Sequence, residues 1–260
     1  MKSSFLACIL SVLLINSTKA QEEFSYTGKT SLPKIISTLF NGQWNGTACV
    51  WKPNFYEKSI WGASYDGMLY TMPDTVMIYR TPNSTRLILV IVTKRKDSST
   101  QFEMCHFCSV GLSIATFEYN KAKGKISLQS FEKFAGTSGS WGEPDSFSLR
   151  SFGDNDYFIE EQGGFGQMGQ MVDFYSLYYD GKNVLSVTTS ENNGGNIPEG
   201  EEGYFGYATE LIFDNEAKTL TLKKTGTREV YNDDGTSRIA PVDEVIRYQF
   251  INGKFEKICP

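Results

Sequence analysis

The sequence predicts an all-β protein, an antiparallel meander of hairpins with one short N-terminal helix. Three observations predict this fold class. Turn pairs such as Asp180-Gly181 and Asn252-Gly253 separate short stretches rich in β-branched and aromatic residues. Residues 87–92 form an unbroken apolar run whose length suits a buried strand. Helical spacing of apolar residues is clearest over residues 31–40, near the start of the chain.

The predicted helix has signals at both ends. Ser31 is a residue type that caps helices, and Pro33 is tolerated in a first turn. Asn41-Gly42 is a natural stop. We therefore expect the helix to begin near Ser31 and to end before Asn41.

Strands are predicted in pairs on either side of turn residues, and residues 85–93 are predicted to form a central strand. Hairpins in series describe a meander, and the sheet could close as a propeller, a barrel or a sandwich. The predicted pairs are residues 69–72 with 75–79, 112–119 with 125–131, 149–152 with 157–159, 173–179 with 183–188, 210–213 with 219–224, and 245–251 with 254–258.

Residues 1–20 have the composition of a secretory signal peptide. Lys2 precedes a short apolar stretch, and Thr18 and Ala20 place small residues before the expected cleavage point. The stretch is too short to span a bilayer, and no later segment has the length of a membrane span. We expect an exported protein, periplasmic or extracellular, whose residues 21–260 form a single all-β domain.

The charge balance argues against nucleic-acid partners. The chain carries 25 Lys and Arg against 30 Asp and Glu. Loss of the signal peptide removes Lys2 and Lys19 and lowers the net charge from −5 to −7. An acidic surface repels phosphate backbones. A protein or glycan partner is therefore expected, while the oligomeric state is left open.

Four cysteines follow the signal peptide, which in an oxidising compartment suggests two disulfides. Three connectivities are possible. We favour a local bridge between Cys105 and Cys108, which leaves Cys49 to pair with Cys259. The long loop closed by this second bridge would give the larger entropic stabilisation.

His106, the one histidine of the chain, lies inside the box Cys105-His106-Phe107-Cys108. A structural disulfide is the favoured interpretation. Zinc would need further ligands at a spacing that matches no standard zinc module, and a redox pair would be expected at a helix N-terminus. Haem attachment requires a histidine after the second cysteine. No metal site and no cofactor are therefore predicted, and a catalytic triad could draw only on His106.

The box resembles a pattern found in uncharacterised exported bacterial proteins. The pattern combines the Cys-His-x-Cys box with a Phe-containing strand, the box Gly139-Ser140-Trp141-Gly142 and the Gly-rich residues 163–169. The similarity covers about a third of the chain, roughly residues 104–187. It implies an exported all-β domain and no particular activity.

Two segments are candidate binding loops. Gly164-Phe165-Gly166-Gln167-Met168-Gly169 matches the dinucleotide fingerprint literally, but the residues that follow are strand-like, which predicts a Gly-rich loop instead. Within it, Phe165, Gln167 and Gln170 are candidate partner contacts. Trp141 is the candidate in the other segment, as an exposed contact residue or as a plug in the core.

The acidic cluster Asp154, Asp156, Glu160 and Glu161 is the remaining source of catalysis. Acids beside a turn are more often a solvated face. The leading hypothesis is therefore a non-enzymatic binding or interaction protein with no catalytic residues. The alternatives are a carboxylate-based glycan hydrolase and a thiol redox or metal protein that uses the Cys105–Cys108 box.

Overall fold

The computed structural model describes residues 22–54, 57, 67–96, 101–105, 108–153 and 156–258. The described part is all-β and antiparallel with one N-terminal helical segment, as predicted, and its strands form two sheets. The first sheet contains β1 (Glu23–Ser25), β2 (Gln43–Trp44), β3 (Cys49–Trp51), β4 (Leu69–Arg80), β5 (Thr85–Arg95), β6 (Val110–Asn120) and β7 (Lys125–Ser138). Its strand order is β1-β7-β6-β5-β4-β3-β2.

The helix lies where it was predicted. A 3₁₀ turn over Gly28–Ser31 leads into α1 (Leu32–Phe40), which ends at Asn41 in the left-handed conformation. The expected Ser31 cap is wrong, because this residue already has helical dihedral angles and makes no capping bond. Its hydroxyl instead accepts a hydrogen bond from the backbone N–H of Thr27 at 2.7 Å. In the preceding 3₁₀ turn, the oxygen of Lys29 accepts a hydrogen bond from the N–H of Leu32, the first residue of α1.

Strand β5 is central in the first sheet, as predicted, and it is buried on both faces. Leu87 and Leu89 face the cluster formed with α1, whereas Ile88 and Val90 face the second sheet. This two-sided burial explains why its sequence is a continuous apolar run instead of an alternating one.

The turn predicted at Pro73-Asp74 is wrong. Residues 69–80 form one continuous strand, β4, whose pairing with β5 shifts between Pro73 and Thr75. Asp74 is the extra residue of this bulge. A bulge accommodates proline, which has no backbone N–H to donate to the ladder.

The second sheet is a meander in which the strands follow one another in sequence order. The turns predicted at Asp180-Gly181 and Asn252-Gly253 are confirmed, and all four residues have the positive φ angles of a tight hairpin turn. The strands are β8 (Ser146–Phe152), β9 (Asp156–Gln167), β10 (Gln170–Tyr179), β11 (Lys182–Asn192), β12 (Gly206–Asp214), β13 (Thr219–Tyr231), β14 (Ser237–Ile251) and β15 (Lys254–Ile258).

The second sheet is strongly curled. In a flat sheet of eight strands, the outer two would lie roughly 30 Å apart. Yet the rings of Phe152 on β8 and Phe255 on β15 have centroids 6.1 Å apart. The sheet therefore wraps around a cluster of aromatic and aliphatic side chains, which includes Phe158, Tyr175 and Phe250. Its concave face is the one that encloses this cluster.

The outer face of the curl packs on the first sheet. Tyr157, Ile159 and Tyr178 join Ile88 and Ile114 in a shared cluster. The hydroxyl of Tyr79 donates to the backbone oxygen of Asp156 at 3.1 Å across this contact. Strand β9 thus lies between two cores, one on each face. Within the described residues, no helix has the length and apolar character needed to cross a membrane.

Candidate functional site

Cys105 and Cys108 form the predicted local disulfide. The N–H of Cys108 also donates to the oxygen of Cys105 at 2.8 Å, which closes a tight turn. His106 and Phe107 lie outside the described residues. No group of three or more His, Cys, Asp or Glu side chains in the described segments is arranged to hold a metal ion.

The disulfide turn packs directly on the Gly-Ser-Trp-Gly box, so two motifs far apart in sequence meet. The N–H of Trp141 donates to the oxygen of Cys105 at 3.1 Å, and the N–H of Gly142 donates to the oxygen of Cys108 at 2.6 Å. Both donors have positive φ angles, and a Cβ at Gly142 would overlap the backbone oxygen of Glu103. Trp141 is 50% exposed, so it is neither a buried plug nor a fully free contact residue.

Cys49 is buried in the core beneath α1, and burial raises the pKa of its thiol. Cys259 lies outside the described residues, so the Cys49–Cys259 pairing stays a prediction.

The Gly-rich loop expected over residues 163–169 is wrong. Most of the segment belongs to β9, and the two residues Met168 and Gly169 form the turn into β10. A strand follows the turn where a dinucleotide site requires a helix. Phe165 is 42% exposed, and Gln167 and Gln170 are exposed on either side of the turn. The three predicted contact residues are therefore accessible, on a hairpin instead of a loop.

The hairpin end is held by residues 193–205, which connect β11 to β12. The Nδ2 of Asn196 donates to the oxygen of Met168 at 2.7 Å, and the N–H of Gly195 donates to the oxygen of Gly169 at 3.1 Å. Asn193, which is buried, accepts a hydrogen bond from the N–H of Phe205 at 2.9 Å. These bonds tie the two segments into one structure.

The members of the predicted acidic cluster that the structure describes, Asp156, Glu160 and Glu161, do not form a paired-carboxylate site. Asp154 lies outside the described residues. Asp156 is bound by the ammonium of Lys218 at 2.7 Å and by the hydroxyl of Tyr179 at 3.0 Å. Glu160 and Glu161 are adjacent on β9, so their side chains point to opposite faces of the sheet.

Glu160 lies on the concave face, where hydrogen-bond donors surround its carboxylate. The Nε of Arg150 and the hydroxyl of Tyr175 both donate to Oε1, and the hydroxyl of Ser148 donates to Oε2 at 2.8 Å. Burial alone would lower the pKa of Arg150, but its bonds to Glu160 and Tyr175 outweigh burial and raise it. The guanidinium also stacks on the ring of Phe213, 4.1 Å from its centroid.

A cleft opens beside this network because two strands separate. β11 and β12 pair over three positions, from Ser190↔Ala208 to Asn192↔Gly206. The hydroxyl of Thr209 then donates to the oxygen of Thr188 at 3.3 Å, at the point where the strands part. The cleft has a volume of about 510 Å³. It is lined by Arg150, Gln162, Gly163, Asp173, Phe174, Tyr175, Thr189, Leu211 and Phe213.

Glu161 lies on the other face of β9, toward the first sheet, and is 1% exposed. The hydroxyl of Tyr178 donates to its Oε2 at 2.6 Å, whereas Oε1 has no hydrogen-bond partner. Burial raises the pKa of Glu161. The hydroxyl groups of Tyr178 and Ser138 lower this pKa and offset part of the effect of burial. The charge of the nearby Asp145 carboxylate raises it further.

Asp145 connects the outer face of β9, which packs toward the first sheet, to the turn that contains Trp141. It accepts a hydrogen bond from the N–H of Gly139 at 2.8 Å, and its own N–H donates to the hydroxyl of Ser138 at 3.0 Å. Burial raises the pKa of Asp145 as well. Its carboxylate lies against Gly163, where any Cβ would overlap it. Gly163 also lines the cleft, so Asp145 and the cleft are separated by one backbone.

Comparison with models of known families, with characterised proteins and with solved structures finds no match. The resemblance to exported bacterial proteins therefore stays a prediction. The candidate site rests on geometry alone.

The sequence analysis did not predict the residues that line the cleft, although it identified an acidic cluster in the same region. One signal could have found part of the site. Ser148 and Arg150 alternate on β8 in the same way as Glu160 and Gln162 on β9, and Ser148 pairs with Glu160 in the hairpin. When polar residues alternate on both strands of a predicted hairpin, they lie on one face of the sheet and indicate a candidate polar site there.

Proposed function

We propose that the protein is an exported, non-enzymatic binding protein whose ligand occupies the cleft on the concave face of the second sheet. The main observation in support of this proposal is the cleft. Its volume of about 510 Å³ lies within the range of small-molecule sites, and Arg150 is held in place in its wall before any ligand arrives. A preorganised polar group loses little freedom on binding.

A glycan segment fits this cleft better than a protein surface does. The site is concave, whereas protein interfaces usually bury larger and flatter areas. Polar side chains in its wall, such as Gln162 and Thr189, alternate with apolar ones such as Leu211 and Phe174. Sugars have the same alternation, with hydroxyl groups at the ring edge and C–H groups on the ring face.

The hydrolase alternative has less support. A glycosidase needs one carboxylic acid that donates a proton and a second carboxylate on the other side of the scissile bond. Asp173 is the carboxylate in the cleft wall, but of the other two acids nearby, Glu160 is engaged by three donors and Glu161 faces away from the cleft. Binding without bond cleavage is therefore the function that the site supports best.

The proposal can be tested by screening the purified protein against an array of neutral and amino oligosaccharides and measuring each hit by calorimetry. Replacing Gln162 with Ala should weaken binding about tenfold, because one hydrogen-bonding side chain leaves the wall. Gln129, which is exposed on β7 of the first sheet, provides the matched control. Gln129→Ala should leave the affinity unchanged. Absence of binding to every oligosaccharide, or equal effects of the two variants, would refute the proposal.

A further inference from the structure

We propose that the cleft selects a ligand that carries a protonated amino group, and that Asp173 is the residue that recognises it. The ligand class is then an amine-bearing saccharide. This inference rests on the proposed function, since it names the ligand of the same cleft.

The first step concerns Arg150, which would otherwise attract acidic ligands. Its guanidinium is paired with Glu160, whose side chain is only 7% exposed and is tightly bound. The pair is therefore neutral as a whole. A carboxylate ligand would compete with a buried internal partner that is already in place, which makes acidic sugars poor ligands.

The second step concerns Asp173, the other charged residue in the wall. The hydroxyl of Ser190 donates to its Oδ2, while Oδ1 accepts no hydrogen bond from any residue that the structure describes. The absence of a side chain at Gly164 allows the carboxylate to lie against β9, because a Cβ there would overlap Oδ1. Asp173 is thus a positioned carboxylate with one oxygen available at the cleft.

The charges in the cleft wall favour a cationic ligand. Arg150 and Glu160 cancel, so Asp173 leaves the cleft with a net negative charge. An ammonium group beside a carboxylate is attracted by its charge, and the attraction is stronger near a protein surface than in bulk water. The chain as a whole, with its net charge of −5, has the same sign and adds to this preference. A cationic group on a hydroxyl-rich ligand matches both the charge and the shape of the cleft.

The test compares three hexasaccharides of similar size by calorimetry at about pH 6, where primary amines are protonated. They are a glucosamine hexamer, its fully N-acetylated form and a galacturonate hexamer. We expect the amine form to bind about tenfold more tightly than the acetylated form, and the acidic form not to bind. Asp173→Asn should reduce the preference for the amine to about twofold or less. Asp74→Asn, at an exposed position on β4 of the first sheet, is the matched control and should leave the preference intact.

The outcomes separate this inference from the proposed function. Equal binding of amine and acetylated forms, with both weakened by Gln162→Ala, would overturn the inference and leave the glycan-binding proposal standing. Tight binding of the galacturonate hexamer would overturn it too, as would a preference that survives Asp173→Asn. Failure of all three hexasaccharides and of the whole array to bind would refute the proposed function itself.

Discussion

Glu160 and Glu161 are neighbours on β9, and both carboxyl groups are buried, but their surroundings are opposite. Glu160 faces the concave side and accepts hydrogen bonds from Arg150, Tyr175 and Ser148. Glu161 faces the first sheet, where the hydroxyl of Tyr178 donates to Oε2 and Oε1 has no hydrogen-bond partner among the described residues. The charge of Asp145 adds to the rise in the pKa of Glu161.

The comparison shows that burial alone does not decide the charge of an acid. A carboxylate surrounded by donors and a cation can stay ionised in a core, because the donors replace the water that it loses. A carboxylate that lacks them is driven toward its neutral form. One strand therefore carries an ion-paired carboxyl group on its concave side and, toward the first sheet, an acid whose pKa is raised by burial. Three substitutions test this difference.

The largest effect is expected from Arg150→Met. This change leaves the Glu160 carboxylate buried without its cation, which should destabilise the protein by about 3 kcal/mol. Urea denaturation near neutral pH would measure it. The double variant Arg150→Met with Glu160→Gln should recover at least half of the loss, because no buried charge remains. A double variant as unstable as the single one would show that the ion pair is not what holds this face.

An intermediate effect is expected from Gly163→Ala, which acts on the face of β9 toward the first sheet. The new Cβ would overlap the Asp145 carboxylate, which is held by the N–H of Gly139 and cannot move freely. The cost should be about 2 kcal/mol. Gly136→Ala on β7 is the matched control, because the nearest atom to its Cβ, the hydroxyl oxygen of Tyr178, is 3.8 Å away. The control should change the free energy of unfolding by less than about 0.5 kcal/mol, and equal losses in the two variants would contradict the proposed contact.

The smallest effect is expected from Glu161→Gln, and it should depend on pH. The folded-state pKa of Glu161 is raised, so the stability linked to this group is fully present below the pKa of the unfolded chain. It is lost as the pH rises through the folded-state pKa. The wild-type protein should therefore lose stability relative to the variant between mildly acidic and neutral pH.

Near neutral pH, Glu161→Gln should be more stable than the wild type by about 1 kcal/mol, since an ionisable oxygen without a partner has been removed. Denaturant midpoints measured across this pH range would test the expectation. Glu160→Gln is the control, and it should destabilise the protein without removing the pH dependence. A variant at Glu161 whose stability follows the same pH profile as the wild type would show that this acid does not titrate in the range.

Much of the local structure could be predicted from the sequence because it depends on neighbouring residues. Asp180-Gly181 and Asn252-Gly253 form hairpin turns since their residue types tolerate positive φ angles. The Cys105–Cys108 disulfide was predictable for the same reason, as three residues of separation bring the two sulfur atoms within reach. Local signals failed at Pro73, where a bulge takes the place of a turn, and over residues 163–169, where the glycines belong to a strand.

The candidate site could not be predicted from short stretches of the sequence. The all-β meander, the buried central strand and the disulfide turn could be predicted from the sequence, because turn chemistry and the period of apolar residues act over a few residues. The contacts of Arg150 with Glu160 and Phe213, the separation of β11 from β12 after three pairs, and the position of Asp145 against Gly163 became visible only in the folded chain. These contacts depend on how far the second sheet curls and on which faces of β9 the two cores cover, and both are set by packing across the whole chain.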